Sequence, residues 1–266
     1  MKPTTPSKIA MAIAAHPDDI EFSMAGTLLL LKQAGWEIHY LNISSGNLGN
    51  ASMTAVQTAA VRKREAKDAA RILGAHWHPP FARDLEIFYD DKSLRRLAAV
   101  IRDVQPSIIL THAPRDYMED HMNTCRLAVT AAFARGMPNY KTLPARPAMQ
   151  GDVTLYHATP HLLRDPLGNV VIPEIFVDIS SVMKMKHQAI AAHRSQQKWL
   201  EKTQGMNSYL KTMDELGLEV GRLSKVFDYA EGWWRHFHAG FCQPDANPLH
   251  ATLGELSRMN SFRTAM

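Results

Sequence analysis

The sequence predicts an α/β fold in which a mostly parallel sheet lies between helices, with a C-terminal elaboration. Short apolar segments alternate with segments of helical periodicity through most of the chain, and this alternation is typical of parallel sheets covered on both faces. No linker long enough to separate two domains interrupts the 266 residues. We therefore predict one domain over 1–266, with its core at about 8–200 and the elaboration at about 204–266.

The first half of the chain supplies most of the predicted parallel sheet. Strands are predicted at 8–15, 37–45, 107–112 and, as a short edge strand, in "WHPPF". Helices are predicted at 25–35, 53–75, 91–105 and 120–137, with glycines as stop signals after the first two.

The alternation is less regular after residue 140. "VTLYHATP" and "EIFVDIS" are predicted strands, and 181–203 is a predicted long helix. The remainder, from Gln204, mixes helical periodicity with the aromatic stretch "FDYAEGWWRHFHAGF". This aromatic segment is a candidate interface for a homo-oligomer.

Composition and charge exclude several classes of protein. Hydrophobic residues make up 45% of the chain and charged residues 21%, as in an ordinary globular protein. The net charge of +4 is scattered, without a basic stripe interleaved with aromatics, so no nucleic-acid partner is expected. No apolar run reaches the roughly 18–20 residues of a membrane span.

The expected location is the cytoplasm. The two cysteines do not form a disulfide framework, which favours a reducing compartment. The N-terminal "MKPTTPSKIAMAIAAHP" has the outline of a signal peptide, but its apolar run is short and leads directly into a carboxylate cluster.

Three polar clusters follow predicted strands at their carboxyl ends. They are "HPDD" at 16–19, "NISSGNLGN" at 42–50 and the segment 112–121. Ligands bind beyond the carboxyl ends of parallel strands, so we expect these clusters to converge at one rim of the sheet.

The "HPDD" cluster predicts either a metal site or a helix cap. A turn after Pro17 can place His16 and Asp19 around one point, with Asp18 directed elsewhere. In the alternative interpretation, Asp18 or Asp19 only caps the following helix. An imidazole and a carboxylate from this loop, with an imidazole from 112–121, would form a zinc site with its fourth position open to water.

Several motifs together resemble the PIG-L/LmbE-like deacetylases, a zinc-dependent family that acts on N-acetylated sugars. "AAHPDDIEFSMAGTL" and "HAPRDYMEDH" resemble its two metal motifs, and "SSGNLG", "RKREAKDAARILGA", "FVDISSVMKMKHQAIAAHRSQ" and "YAEGW" resemble further family segments. The resemblance covers roughly residues 8 to 235. It implies a single Rossmann-like domain, one Zn²⁺ per chain and an N-acylated amino sugar or glycoconjugate as substrate.

The same resemblance implies roles for individual residues. Zinc ligands would be His16, Asp19 and His121. Asp18 would be the general base, and Asp120 would orient a catalytic histidine. Arg62 would reach a substrate hydroxyl or phosphate.

Two positions depart from the family pattern. The second motif commonly reads "DxHxDH", and Met118 stands at the place of its first histidine, where a thioether cannot donate a hydrogen bond to an oxyanion. Asn47, a candidate substrate contact, stands where the family often has glutamate. His193 and Tyr117 are the candidates for the missing donor, with His193 preferred.

The other histidines and the tryptophans are expected to serve structure. These residues are His76, His78, His157, His161, Trp199, Trp233 and Trp234. The leading hypothesis for function is a zinc-dependent N-deacetylase. The alternatives are a metal-dependent hydratase or C–C hydrolase of the same fold, and a non-catalytic metal- or sugar-binding protein.

Overall fold

The sheet is mixed, with its parallel part at one end and its antiparallel part at the other. The computed structural model describes residues 7–204 and 209–260. Across these residues the strands are β1 (Ile9–Ala14), β2 (Glu37–Asn42), β3 (His76–His78), β4 (Ile108–Thr111), β5 (Thr154–Ala158), β6 (Ile175–Asp178), β7 (Ala230–Arg235) and β8 (Ser257–Met259). Their order is β3-β2-β1-β4-β5-β7-β6-β8. Neighbours are parallel from β3 to β5 and antiparallel beyond β5.

Helices cover both faces of this sheet, as predicted. They are α1 (Asp19–Ser23), α2 (Ala25–Gln33), α3 (Ala55–Leu73), α4 (Asp91–Val104), α5 (Glu119–Phe133), α6 (Met183–Ile190), α7 (Arg194–Gln204), α8 (Tyr209–Ser224) and α9 (Pro248–Leu253). Within the described ranges, none is long and apolar enough to cross a membrane.

The sheet separates two large apolar cores, one on each of its faces. Alternate residues of β1 point to opposite sides, so Ala10 and Ala12 join the core beneath α2, while Met11 and Ile13 join the core beneath α4 and α5. The leucine-rich α2 is buried along almost its whole length, which explains why its sequence has so few polar residues.

The prediction of one long helix over 181–203 is wrong. The chain forms a short 3₁₀ turn, then α6, and begins a new helix, α7, at Arg194. The break lies at Ala191–His193, where the His193 amide donates to the Ile190 carbonyl and the imidazole is fully buried. Helical periodicity continues across this break, so no sequence pattern indicates it.

The C-terminal part is integrated into the sheet. Strand β7 pairs with β5 on one side and with β6 on the other, and Trp233 on β7 is fully buried. The segment after α7 therefore completes the main sheet.

Candidate metal centre and its cavity

The turn that follows β1 presents two adjacent aspartates to different surroundings. The His16 amide donates to Asp19 Oδ2 at 2.7 Å, which closes the turn around Pro17. Asp18 adopts φ 111°, in the left-handed region that costs a residue with a Cβ about 1–3 kcal/mol. Asp18 is the N-cap residue of α1, but its side chain caps no backbone amide. The simple capping interpretation is therefore wrong for Asp18.

Asp19 lies among three imidazoles. Its carboxylate oxygens are 3.4 Å from His16 Nδ1, 3.3 Å from His112 Nε2 and 3.4 Å from His121 Nε2. Burial alone would raise the pKa of this carboxyl, but the surrounding imidazoles hold it well below its usual range. Asp19 is therefore a carboxylate aimed at the point where these rings converge.

Two of these imidazoles are oriented by a second carboxylate. His16 Nε2 is 2.9 Å from Asp120 Oδ2, and His121 Nδ1 is 3.0 Å from Asp116 Oδ1. Burial lowers the pKa of each imidazole, but the carboxylates outweigh it and raise His16 to about 9 and His121 to about 10. Metal-binding histidines are commonly held in this way, with the far nitrogen on a carboxylate.

The residues His16, Asp19 and His121 fit a divalent metal ion. One ligand atom from each lies within 4.8 Å of the others. The His121 Nε2 atom is buried and has no hydrogen-bond partner among the described residues, a costly state that a bound metal would relieve. Two imidazoles and a carboxylate, with an open fourth position, are ligands suited to catalytic zinc.

A second grouping, His112, Asp116 and His121, is also close enough for a metal. It fits less well, because Asp116 is engaged with His121 Nδ1 and His112 Nε2 accepts the Ala15 amide at 2.9 Å. The rings of His112 and His121 stack at 4.0 Å, so His112 supports the ring that would carry the metal.

Asp18 is held away from the imidazoles. Its Oδ2 accepts a hydrogen bond from the Tyr209 hydroxyl and lies 3.4 Å from Arg62 Nη2. Burial raises the pKa of Asp18, and Arg62 opposes that rise. This is the environment of a carboxylate that can accept and return a proton.

Arg62, on α3, links the turn after β1 to the segment at 42–50 that contains Gly46. Its guanidinium donates to the Pro17 carbonyl and reaches the Gly46 carbonyl at 3.5 Å. Gly46 has φ 71°, and a Cβ there would lie 2.6 Å from Arg62 Cδ. The close approach of the arginine therefore requires glycine at this place.

A cavity of about 340 Å³ opens beside these residues. Its wall combines the three candidate ligands with Asp18 and Arg62 and with groups from five other parts of the chain. The further lining residues are Phe22, Ser23, Leu48, Gly49, Asp84, Leu85, His112, Asp116, Tyr117, Met118, Thr159, His161, Gln196, Trp199, Leu200 and Leu216.

Comparisons with known proteins agree with this geometry. The family profile described as PIG-L, GlcNAc-PI de-N-acetylase, matches residues 11–133, which include both metal motifs. The chain is 31% identical to 4-oxalmesaconate hydratase of Pseudomonas putida over 73% of its own length and 76% of that protein. The chain belongs to the PIG-L family.

Members of the PIG-L family that resemble this chain carry different activities in their names. Diacetylchitobiose deacetylase of Thermococcus kodakarensis is 29% identical over 73% of this chain and 72% of that protein. The crystal structure of the 4-carboxy-2-hydroxymuconate hydratase of Pseudomonas putida superposes with a TM-score of 0.73 at 26% identity, covering 90% of this chain and 98% of that one. The family thus joins deacetylases and a hydratase on one fold.

The structure brings most of the sequence-predicted site residues to this cavity. Tyr117 lines it, as does Met118, and Tyr117 is 56% exposed. Asp120 contacts His16, a candidate metal ligand, whereas the resemblance implied that it orients a catalytic histidine.

Two predicted site residues lie away from the cavity wall. Asn47 is buried, and its Oδ1 accepts from the Asp84 amide at 2.9 Å and from the Ser45 hydroxyl at 3.2 Å. His193 is fully buried, with Nε2 3.4 Å from Glu21 Oε2. These contacts give Asn47 and His193 supporting positions beneath the site, in place of the substrate contact and donor predicted for them.

Two residues assigned to structure by sequence reasoning line the cavity. His161 follows β5, at the same rim as the metal motifs, and Trp199 is on α7. His161 could have been found from the sequence, because it follows the predicted strand "VTLYHATP" in the way that His16 follows the first strand. Trp199 gave no such signal.

Proposed function

We propose that this protein is a zinc-dependent hydrolase that removes an N-acetyl or related acyl group from an amino sugar or its conjugate. The observation that carries the proposal is the division between the two adjacent aspartates. Asp19 faces three imidazoles, while Asp18 faces Arg62 and Tyr209. An amidohydrolase needs both a charged metal ligand and a separate carboxylate that can exchange a proton.

The metal would be held by His16, Asp19 and His121. When bound, zinc polarises a carbonyl and lowers the pKa of a bound water towards about 7. Asp116 and Asp120 keep the two imidazoles in the orientation needed for ligation, since each accepts a hydrogen bond from a far ring nitrogen.

Asp18 would perform both proton transfers. It takes one proton from the attacking water, whose oxygen forms a new bond to the acyl carbon. It then returns this proton to the amide nitrogen as the carbon–nitrogen bond breaks. The direct products are a carboxylic acid and a free amine. The acid's proton then passes to the amine through water, which gives a carboxylate and an ammonium, so atoms and charge balance. Tyr209 and Arg62 hold Asp18 in position for these steps.

A hydratase is the second candidate, because the Pseudomonas putida relative bears that name. The compounds in the names of the hydratases carry several carboxylates, which a site would bind with cationic side chains. Among the described residues that line the cavity, Arg62 is the one arginine or lysine, and it is engaged by Pro17, Gly46 and Asp18. This charge balance favours an uncharged acylated sugar.

Amine release would separate the candidates. Purified protein loaded with Zn²⁺ should release free amine from N-acetylglucosamine, N,N'-diacetylchitobiose or another N-acyl sugar in a panel, and the Asp18→Asn variant should not. Loss of ultraviolet absorbance from unsaturated polycarboxylates, without amine release, would favour the hydratase. Metal-loaded protein that turns over neither class would support the non-catalytic alternative.

A further inference from the structure

His161 is a polar side chain in the cavity that has no hydrogen-bond partner among residues 7–204 and 209–260. Its ring lines the cavity together with the candidate metal ligands. No hydrogen bond joins either ring nitrogen to another described residue, although the neighbouring histidines His112 and His121 are both bonded. A partly enclosed imidazole without a protein partner is available to bind a ligand.

The backbone fixes where this ring lies. His161 follows Pro160 beyond the carboxyl end of β5, the strand next to β4. The two residues after it, Leu162 and Leu163, both have positive φ, at 57° and 52°, which is uncommon for a branched side chain. Leu163 is buried, and its carbonyl accepts the Val171 amide at 3.0 Å, so the turn is anchored. Strained backbone of this kind clusters at functional sites.

Two aromatic rings hold the imidazole from its sides. Phe22 meets it edge to face, with ring centroids 6.1 Å apart, and Tyr117 lies 6.0 Å away. Phe22 also packs against Tyr209, the residue that holds Asp18, and Tyr117 packs against His121. His161 is therefore positioned between the part of the cavity with the proposed base and the part with the proposed metal.

Met118, after the neighbouring strand β4, cannot supply an equivalent group. Met118 lines the same cavity after β4, but a thioether has no proton to donate. The donor preferred from the sequence, His193, is fully buried beside Glu21. A second donor is worth having, because one hydrogen bond to a developing oxyanion typically contributes about 10²–10³ in kcat.

We propose that His161 is a catalytic residue that donates a hydrogen bond to the substrate's acyl oxygen as negative charge develops there. The imidazole comes from the end of β5, in place of one from the loop after β4. This assignment rests on the proposed acyl hydrolysis. It goes beyond that proposal by naming His161 as the residue that contacts the acyl oxygen.

The test removes the ring nitrogens but keeps the ring. His161→Phe should lower kcat by about 10²–10³-fold, with little change in KM, because the lost bond forms mainly in the transition state. Zinc content and melting temperature should equal those of the wild type, since Phe preserves the contacts with Phe22 and Tyr117. His76→Phe is the matched control, because His76 lies on β3 and its side chain is 66% exposed.

A rescue variant distinguishes a donor from a packing residue. Adding Met118→His to His161→Phe restores an imidazole to the wall, and should recover part of the lost kcat. Wild-type kcat in His161→Phe would overturn the inference, as would a loss confined to Tyr117→Phe, which would make the phenol the donor. If instead the wild type releases no amine from any acylated sugar, the proposed function itself fails. The two failures are therefore distinguishable.

Discussion

The parallel half of the sheet carries two histidine clusters that differ in what surrounds them. The cavity cluster is His16, His112 and His121, at the carboxyl ends of β1 and β4. The edge cluster is His39, His76 and His78, on β2 and β3, where parallel register puts all three on one face of the sheet. Both clusters bring imidazoles within about 5 Å of one another.

The difference lies in the carboxylates. In the edge cluster, His39 Nδ1 is 2.8 Å from His78 Nε2. Among the described residues, the one carboxylate in contact with this cluster is the half-exposed Glu37, 2.8 Å from His39 Nε2. In the cavity cluster, Asp19, Asp116 and Asp120 are all mostly buried and each contacts an imidazole. Across the described ranges, the residue groups close enough to hold a metal all belong to the cavity cluster.

The number of histidines alone therefore does not make a metal site. When a carboxylate accepts a hydrogen bond from one ring nitrogen of a histidine, the other ring nitrogen is left directed at the point where a metal would bind. When histidines hydrogen-bond to one another, as His39 and His78 do, the nitrogens in that bond are not available to a metal.

Removing one histidine from each cluster should have the largest and most unequal effects on zinc binding. His121→Ala removes a proposed ligand, and its loss of zinc affinity should exceed the roughly 10–100-fold typical of losing an outer partner. His78→Ala should leave zinc content unchanged. Metal analysis after dialysis against a zinc buffer measures both. Equal zinc retention in the two variants would contradict the assignment of His121.

Removing the orienting carboxylates should have a smaller effect. Asp116→Asn and Asp120→Asn should each weaken zinc affinity by about 10–100-fold, because an amide holds the imidazole less firmly and adds no charge. Competition with a chelator reports the affinity. Asp103→Asn is the control, since Asp103 pairs with Arg146 at the surface and lies outside the cavity. An effect as large in the control would show that the loss is not specific.

The edge cluster should make the stability of the protein depend on pH. Burial, and then the neighbouring His39 and His76, lower the pKa of His78 to about 4, whereas an unfolded chain has about 6.5. Between these values the unfolded state binds more protons, so the free energy of unfolding falls as pH decreases through this window. The contribution is about 1–2 kcal/mol after solvent screening.

The His78→Gln variant isolates this contribution. Its melting temperature should fall less than that of the wild type between about pH 7 and about pH 5, since the titrating group is gone. An identical fall in both proteins would contradict the prediction.

The site could be located from the sequence because the motifs that form it are short and each follows a predicted strand. The "HPDD" turn and the 112–121 loop each follow an apolar strand, and the parallel sheet brings such ends together. The α/β class and the mostly parallel sheet follow from those patterns. The choice of His16, Asp19 and His121 came from the family resemblance, and one ligand atom from each lies within 4.8 Å of the others.

The remaining features depend on packing that a sequence does not display. The helix break that buries His193 leaves the 3.6-residue periodicity intact, and Tyr209 meets Asp18 across 191 residues of chain. Insertion of β7 between β5 and β6 is likewise a long-range pairing. His161 is the exception, because its place after the predicted strand "VTLYHATP" is a local signal that the sequence does display.

The two adjacent aspartates are proposed to have different roles, Asp19 as a metal ligand and Asp18 as the group that transfers protons. The most direct test prepares Asp18→Asn and Asp19→Asn side by side and measures both zinc content and amine release for each. We expect Asp18→Asn to keep its zinc and to lose about 10²–10⁴-fold in turnover, and we expect Asp19→Asn to lose zinc together with turnover. Zinc retained by Asp19→Asn but lost from Asp18→Asn would contradict the account.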